Sequence, residues 1–597
     1  MCSRVRVLWI LPRWRPLSPQ QTRYPMELSP QRYHARIVQR PVALGAPSEA
    51  LLAAMDAQDD VAVLESSAYH DDFGRYSVFA CRPIEVLALH AGTLRDRAGN
   101  VLAEAHGPSD ALWAALEAAF AAVKISAGAD TSSEGQRRVE EVLNAECGMQ
   151  NLSPAYVPGW IGYVGYEVGR YIERLPGRAA RDTALPDLRL AFYDALLVFD
   201  AQEHAWTLVE LEFDGESPAG AGQSACVLAQ LAAQTAAVVS QRPQPAEHAD
   251  AAHRPAVAGR PNFQPQAYQQ AVQRCIDYIA AGDIFQVNLS QRLEIEQPPA
   301  PMDLYRVLRR RNPAWYAAYL AFETTDARCH GQAAFARPCG AAGRGNAECG
   351  MRNVESLVQT PWAARVSDEP GAEATGRKNA ECGVRNARCA IVSSSPELFL
   401  RVRGRSVLTR PIKGTRPRVG DQAADAASRQ ELWDSPKDNA ELAMIIDLLR
   451  NDLGRVCRMG SVRVIEPRRL ETHPTVYHLV GTVSGELADG VGPAALLRAT
   501  FPGGSITGAP KIRAMEIIDE LEPTARGVYC GCVGMVGVDG RSEWNIAIRT
   551  IVCDGGRALV QVGGGIVADS SPRGEYDETL DKARAMLEAV HEAVTSQ

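Results

Sequence analysis

Two apolar runs with strand character, "WYAAYLAF" (315–322) and "AIVSSSPELFLRV" (390–402), would form a hairpin if they were contiguous. They are separated instead by a Gly/Ala/Arg/Cys-rich stretch, roughly 327–388, with little apolar periodicity. A chain written this way must keep the pairing and loop the stretch out. A segment without an apolar face has nothing to contribute to a core. The stretch holds "NAECGMRN" at 346–353 and "NAECGVRN" at 379–386, and a third copy, "NAECGMQN", stands at 144–151. The starts lie 202 and 33 residues apart, too irregular for a solenoid. Cys329, Cys339, Cys349, Cys382 and Cys389 share no zinc-type spacing, so a poorly ordered insertion is expected rather than a metal site.

The rest of the chain divides around a second aperiodic stretch. Residues 31–240 mix strands and helices: "DVAVLESS" reads as a strand ending in a polar turn, and "LRLAFYDALLVFD" as two apolar strands. The glycines and aromatics of "PGWIGYVGYEVGRYIE" suggest a strand passing close to other backbone. Residues 241–262 are Pro/Ala-rich and read as a linker, leaving 263–597 as a larger second domain. Residues 1–30 read as an unstructured extension, and Met26 is a candidate start.

The net charge is −8, from 63 basic and 71 acidic residues, which argues against a dedicated nucleic-acid binder. No apolar run approaches the ~20 residues that cross a bilayer. The N-terminal "VLWIL" is shorter than the ~7–15-residue core of a signal peptide, so a cytoplasmic location is the default. None of the 14 cysteines forms a C-x-x-C pair, which predicts mostly reduced thiols.

The last 200 residues carry the chemistry. "KDNAELAMIIDLLRNDLGRV" is a helix with Leu442, Ile445, Ile446 and Leu449 on one face. Its Glu441 reads either as half of a capping box with Asp438 or as a metal carboxylate. "QVGGGIVADSSPRGEYDETLDKA" is strand, turn and helix; Gly563, Gly564 and Gly565 would let an anion approach backbone N–H groups. Glu578 and Lys582 form an i,i+4 pair, which alone could be a surface ion pair. "FPGGSITGAPKIRAMEIIDELEP" is a glycine loop entering a helix whose start could hold a carboxylate or phosphate, but it is no P-loop. "GVYCGCVGMVGVDGRSEWNIAIRTIVC" reads as a hairpin turned at Asp539–Gly540, with Arg549 inside an apolar strand. A buried arginine needs an anionic partner, either a structural carboxylate or a substrate. His478 lies in a strand pattern and reads as readily structural as catalytic.

Nine of these strings, in order, resemble the chorismate-utilising enzymes related to anthranilate synthase component I. They are "AGDIFQVNLSQRL", "SSSPELFL", "PIKGTRPR", "AELAMIIDLLRNDLGRV", "HLVGTVSGEL", "PGGSITGAPKIRAMEIIDELEP", "YCGCVGMV", "NIAIRTI" and "GGGIVADSSPRGEYDETLDKA". The resemblance implies an α+β fold of two large packed sheets with helices outside. It implies Mg²⁺ held by Glu441 and Glu578, and chorismate bound through Gly414, Thr415, Tyr529, Arg549, Gly563, Gly564, Gly565 and Lys582. Within the family, anthranilate synthases resemble "PIAGT" and aminodeoxychorismate synthases "PIKGT", as here. The resemblance therefore implies amination of chorismate at C4 for p-aminobenzoate and folate synthesis, with Lys413 as nucleophile, Glu397 as acid/base and His478 nearby. Anthranilate formation is the alternative. Water-adding relatives carry a lysine where this chain has Gln286. No G-x-C-x-G glutaminase elbow occurs, which predicts a separate glutamine amidotransferase subunit. Ser66, Tyr76, Ser77, Trp315 and Tyr316 correspond to the family's tryptophan pocket.

Overall fold

The computed structural model describes residues 33–45, 49–68, 70, 73–126, 156–238, 259–324 and 387–595. The proposed N-terminal extension, all three "NAECG" repeats, most of the linker and most of the insertion lie outside these residues. Among the described residues the fold is α+β, with one sheet of 13 strands and one of 12. Ala62, Val78, Ala318, Leu320 and Ile391 from the first pack against Ile161, Tyr163, Val533 and Met535 from the second, closing an apolar layer between them. Helices cover the outer faces: Pro265–Ala280, Pro301–Arg311 and Pro572–Thr595 on the first sheet, Pro436–Gly454 on the second.

Central strands are therefore buried on both faces. That is why Gly159–Val164 and Leu188–Tyr193 are near-continuous apolar runs rather than alternating ones. The glycine in the first strand has a steric cause. A Cβ on Gly162 would sit 2.0 Å from the Arg189 carbonyl oxygen, so only glycine lets the two strands close. Strands from before residue 240 and after residue 262 lie in both sheets. They meet where Val61–Glu65 pairs with Tyr316–Thr324 and where Gly159–Val164 pairs with Cys532–Gly537.

The predicted hairpin exists. Tyr316–Thr324 pairs antiparallel with Ala387–Ser395, in register from Tyr316↔Ser395 to Thr324↔Ala387. Ala387 and Arg388 belong to the second strand, so the expected interruption ends before Ala387 rather than at 388. The hairpin is closed at its tip by strand pairing on both sides of the interruption. Replacing 325–386 by a short turn is expected to leave turnover within about tenfold of the intact chain; a larger loss in a steady-state assay would show that the stretch serves the site.

Three sequence expectations are corrected here. "AIVSSSPELFLRV" is not one strand: it breaks at Pro396–Glu397, where the chain leaves the 13-stranded sheet and enters the other as Leu398–Arg403. Pro396 has no N–H for a ladder, which suits it to that exit. Arg549 is not inside a strand either. It lies between Ser542–Ile546 of one sheet and Thr550–Asp554 of the other, with φ at +49°. The two crossovers run side by side: Ile546 N–H donates to Glu397 O (3.0 Å), Ser394 N–H to Arg549 O (3.1 Å), and the Ser395 hydroxyl to Ile546 O (2.6 Å). Cys530 is likewise outside the predicted strand, in a turn with φ at +62° before Cys532–Gly537.

Candidate active site

Lys413 lies on Ile412–Pro417, which pairs with Val476–Glu486 through Ile412↔Val480 and Thr415↔His478. The register shifts between those pairs, so Lys413 and Gly414 form an irregularity that re-aims the lysine out of the ladder. Gly414 has φ at +81°, and a Cβ there would meet Leu432 Cδ1 at 2.7 Å and Asp438 at 2.9 Å. The position needs glycine on both counts. The lysine side chain is 12% exposed, with Nζ 3.7 Å from Glu441 Oε2.

Glu441 is available because the capping box does not form. The helix Pro436–Gly454 is capped by Ser435, whose hydroxyl accepts from Asp438 N–H. Asp438 is thus inside the first turn, and Glu441, beyond it, lies near Lys413 and Lys437 (4.0 Å). The predicted apolar face holds: Leu442, Ile445, Ile446 and Leu449 are buried.

The three glycines lie within the strand Arg557–Ile566, with Ser290↔Gly563, Leu289↔Gly564 and Asn288↔Gly565 on one side. On the other side Thr550–Asp554 pairs only as far as Val560. Beyond Val560 that strand edge has no strand partner among the described residues. Added Cβ atoms there would fall 2.8 Å from Glu575 Oε2 at Gly564, and 2.4 Å from Gln286 Nε2 and 3.0 Å from Lys413 Nζ at Gly565. The glycines therefore leave a bare backbone floor, ringed by an amide, an ammonium and carboxylates.

The helix Pro572–Thr595 supplies those carboxylates. Lys582 Nζ lies 2.7 Å from Glu578 Oε1 and donates to Gly563 O at 2.9 Å, so this pair links the helix to the floor. Glu578 keeps about half its side chain exposed; partial desolvation pushes its carboxyl up, but Lys582, Lys437 and Lys413 together hold it below its usual value. Glu575, three residues earlier, is buried and raised by that burial; Ser570 donates to its Oε1, while Oε2 has no hydrogen-bond partner.

Glu397 sits at its crossover, buried, and burial raises its carboxyl to about 7 against the opposing pull of a Ser505 hydrogen bond and the Lys413 charge. Such a carboxyl holds a proton near neutrality and can give or take one. Arg549, at the adjacent crossover, is lowered to about 10 by burial alone. No Asp or Glu among the described residues forms an ion pair with it, which removes the structural-carboxylate explanation left open by the sequence. His478 is buried. Its Nδ1 lies 2.9 Å from Thr415 Oγ1, and its Nε2 has no partner. Burial, then Arg549 and His473, push it well below its ordinary value against the opposing pull of the Gly414 backbone.

Tyr529 is buried, with Cys530 and Arg526 as neighbours. Lys511, at the start of the helix after the glycine loop, is engaged by Asp452 (2.6 Å) and Thr500 O (2.9 Å). Tyr76, Trp315 and Tyr316 line one cavity with Glu65, Tyr156, Glu543 and Asn545. Ser66 and Ser77 are not part of that lining: Ser66 donates to Ala68 O, and Ser77 is buried in the strand Tyr76–Ala80.

The donor set suits a hard cation. Glu441 and Glu578 come from different helices yet both feel Lys413 and Lys437, so they face one volume. The unpartnered Glu575 oxygen lies at the glycine floor beside Gly564. Among the described residues no three His, Cys, Asp or Glu side chains form a cage. Mg²⁺ characteristically uses one or two carboxylates and completes its shell with substrate and water. Sequence reasoning missed Glu575, although its i,i+3 spacing from Glu578 placed both on one helix face. It also treated Gln286 only as an absent lysine, whereas its side chain is buried against Gly565 with Oε1 unpartnered.

A family model described as chorismate binding enzyme matches residues 101–330 and 375–588. Anthranilate synthase component 1 of Thermus thermophilus is 38% identical over 445 residues, 74% of this chain and 79% of that protein. Aminodeoxychorismate synthase component 1 of Klebsiella aerogenes is 36% identical over 446 residues, covering 74% and 80%. The crystal structure of anthranilate synthase component I from Streptococcus pneumoniae superposes with a TM-score of 0.56 at 25% identity, over 87% of this chain and 94% of that one.

Proposed function

The chain belongs to the chorismate-binding enzyme family, and from that premise we propose that it aminates chorismate at C4, giving 4-amino-4-deoxychorismate. The observation that carries this choice is Lys413. Its amine lies not on the surface but between Glu441 and the glycine floor, with buried Glu397 close enough to feel its charge. An alanine there, as in "PIAGT", could not form a bond to substrate.

The substrate is a dicarboxylate, and the site offers separate cationic ends. Arg549 and the unpaired glycine edge receive the enolpyruvyl carboxylate. Mg²⁺, held by Glu441 and Glu578, would supply positive charge opposite the ring carboxylate. Neutral Lys413 Nζ then adds to C2, the double bonds shift, and the C4 hydroxyl leaves as water with a proton from Glu397. Ammonia attacks C4, the double bonds shift back, and the C2–Nζ bond breaks to free the lysine. The ionised Glu397 takes up the proton that ammonia loses. Ammonia comes from a separate glutamine amidotransferase subunit, since the chain carries no glutaminase elbow.

Anthranilate formation is the second reading, supported by relatives of that kind at comparable identity. Purified chain with chorismate, Mg²⁺ and ammonium at alkaline pH is expected to give aminodeoxychorismate without pyruvate. Fluorescent anthranilate with stoichiometric pyruvate would establish the second reading instead. Consumption of chorismate to neither product would remove both.

A further inference from the structure

His473 belongs to none of the motifs above, yet it lies at the centre of a buried polar row behind Thr415. Strand register builds that row. His478 is opposite Thr415 on one flank and opposite Glu471 on the other, so the three side chains emerge on one sheet face. The chain then turns between Arg463–Thr472 and Val476–Glu486, with His473 N–H donating to Val476 O at 2.9 Å. This folds His473 back against the same face. Its Nε2 lies 3.7 Å from Glu471 Oε2, and its ring meets the His478 ring edge-to-face at 4.9 Å. Trp315 covers its other side at 4.4 Å. Glu471 is anchored in turn by buried Arg410, which stacks on Phe73 at 3.7 Å.

All of this is buried. His473, His478, Glu471 and Arg410 are each at most 5% exposed. His473 Nε2 has the Glu471 carboxylate as its neighbour, whereas His478 Nε2 has no hydrogen-bond partner among the described residues. A buried imidazole nitrogen without a hydrogen bond is an expensive way to fill a core, where an apolar ring of the same shape would serve better. Such a cost is retained where the groups act on something else.

We propose that His473 is a positioning residue: fixed by Glu471 and Trp315, it holds the His478 ring so that Nδ1 stays on Thr415 and Nε2 stays aimed, unpartnered, at the bound substrate. Thr415 is two residues from Lys413 on the same strand, so the orientation of His478 reaches the reacting amine through a single short segment. His473 touches neither substrate nor Lys413; it acts through His478.

This rests on a chorismate-consuming site, and its test reads chorismate loss rather than product identity. A wrong choice between the two aminated products therefore leaves the test intact. His473→Phe keeps the aromatic stack and the volume while removing both ring nitrogens. It is expected to lower kcat roughly tenfold to a hundredfold, with KM for chorismate within about twofold and thermal unfolding unchanged. His473→Asn, which can still reach Glu471, is expected to recover part of that loss. Introduced into a His478→Ala background, His473→Phe is expected to cost nothing further, because its effect passes through the ring already removed. Wild-type kcat in His473→Phe would overturn the proposal and leave His473 as packing. So would a loss in the His478→Ala background as large as in the wild type.

Discussion

Replacing Lys413 with alanine is expected to lower aminodeoxychorismate formation on the order of a thousandfold or more, while the protein folds normally. The size of the effect follows from the role. A residue that forms and breaks a bond with substrate cannot be approximated by its neighbours, and Lys413 Nζ is the amine set against Gly565 among the described residues. Lys437 and Lys582 are already engaged, with Glu441 and with Glu578 and Gly563. Folding should survive because the side chain is at an irregularity in an outer strand, not in a core cluster. The substitution also releases Glu441 from its ammonium neighbour, so chorismate binding should persist. Product analysis must follow both aminated products: a rise in anthranilate would mean that the site keeps its ammonia chemistry but loses the choice of carbon. Aminodeoxychorismate formed at the wild-type rate would end the covalent role of the lysine.

Replacing Arg549 with leucine is expected to raise KM for chorismate roughly a hundredfold, the scale of losing one partner of a desolvated charge pair. Stability should move the other way. In the free protein the guanidinium has lost water and gained no carboxylate, which is why burial alone accounts for its lowered value. Removing an uncompensated, partly buried charge is neutral or mildly stabilising. Weaker binding together with an unchanged or higher melting temperature separates a substrate-binding arginine from a structural one. A structural arginine would lose both. Measuring KM and thermal unfolding on the same preparation decides between them.

The strands, the hairpin around 325–386, the apolar face of Pro436–Gly454 and the pairing of Glu578 with Lys582 were legible because each is local. Periodicity and i,i+4 spacing report directly on such features. What sequence could not report was where the chain changes sheets. "NIAIRTI" shows no polar/apolar alternation across Arg549, with Ile546, Ala547 and Ile548 before it and Ile551 after it, so nothing marks the crossing. The capping-box alternative for Glu441 stayed open in the sequence because only backbone geometry shows that the helix starts at Ser435 rather than at Asp438. Glu575 and His473 were invisible for another reason. Their significance lies in what surrounds them, an unpartnered oxygen for Glu575 and the Glu471, Trp315 and His478 contacts for His473.

The strand Ala387–Ser395 has a mechanical consequence. It is nine residues long, about 30 Å, and is clamped along both edges by Tyr316–Thr324 and Thr550–Asp554. The interruption of the chain is at one end of this strut and Glu397 lies just past the other. A load applied at the hairpin tip must shear two hydrogen-bonded ladders before it can displace the acid. The tip is therefore a protected docking port, where a fluorescent or affinity module can be spliced between Thr324 and Ala387 with the chemistry left in register.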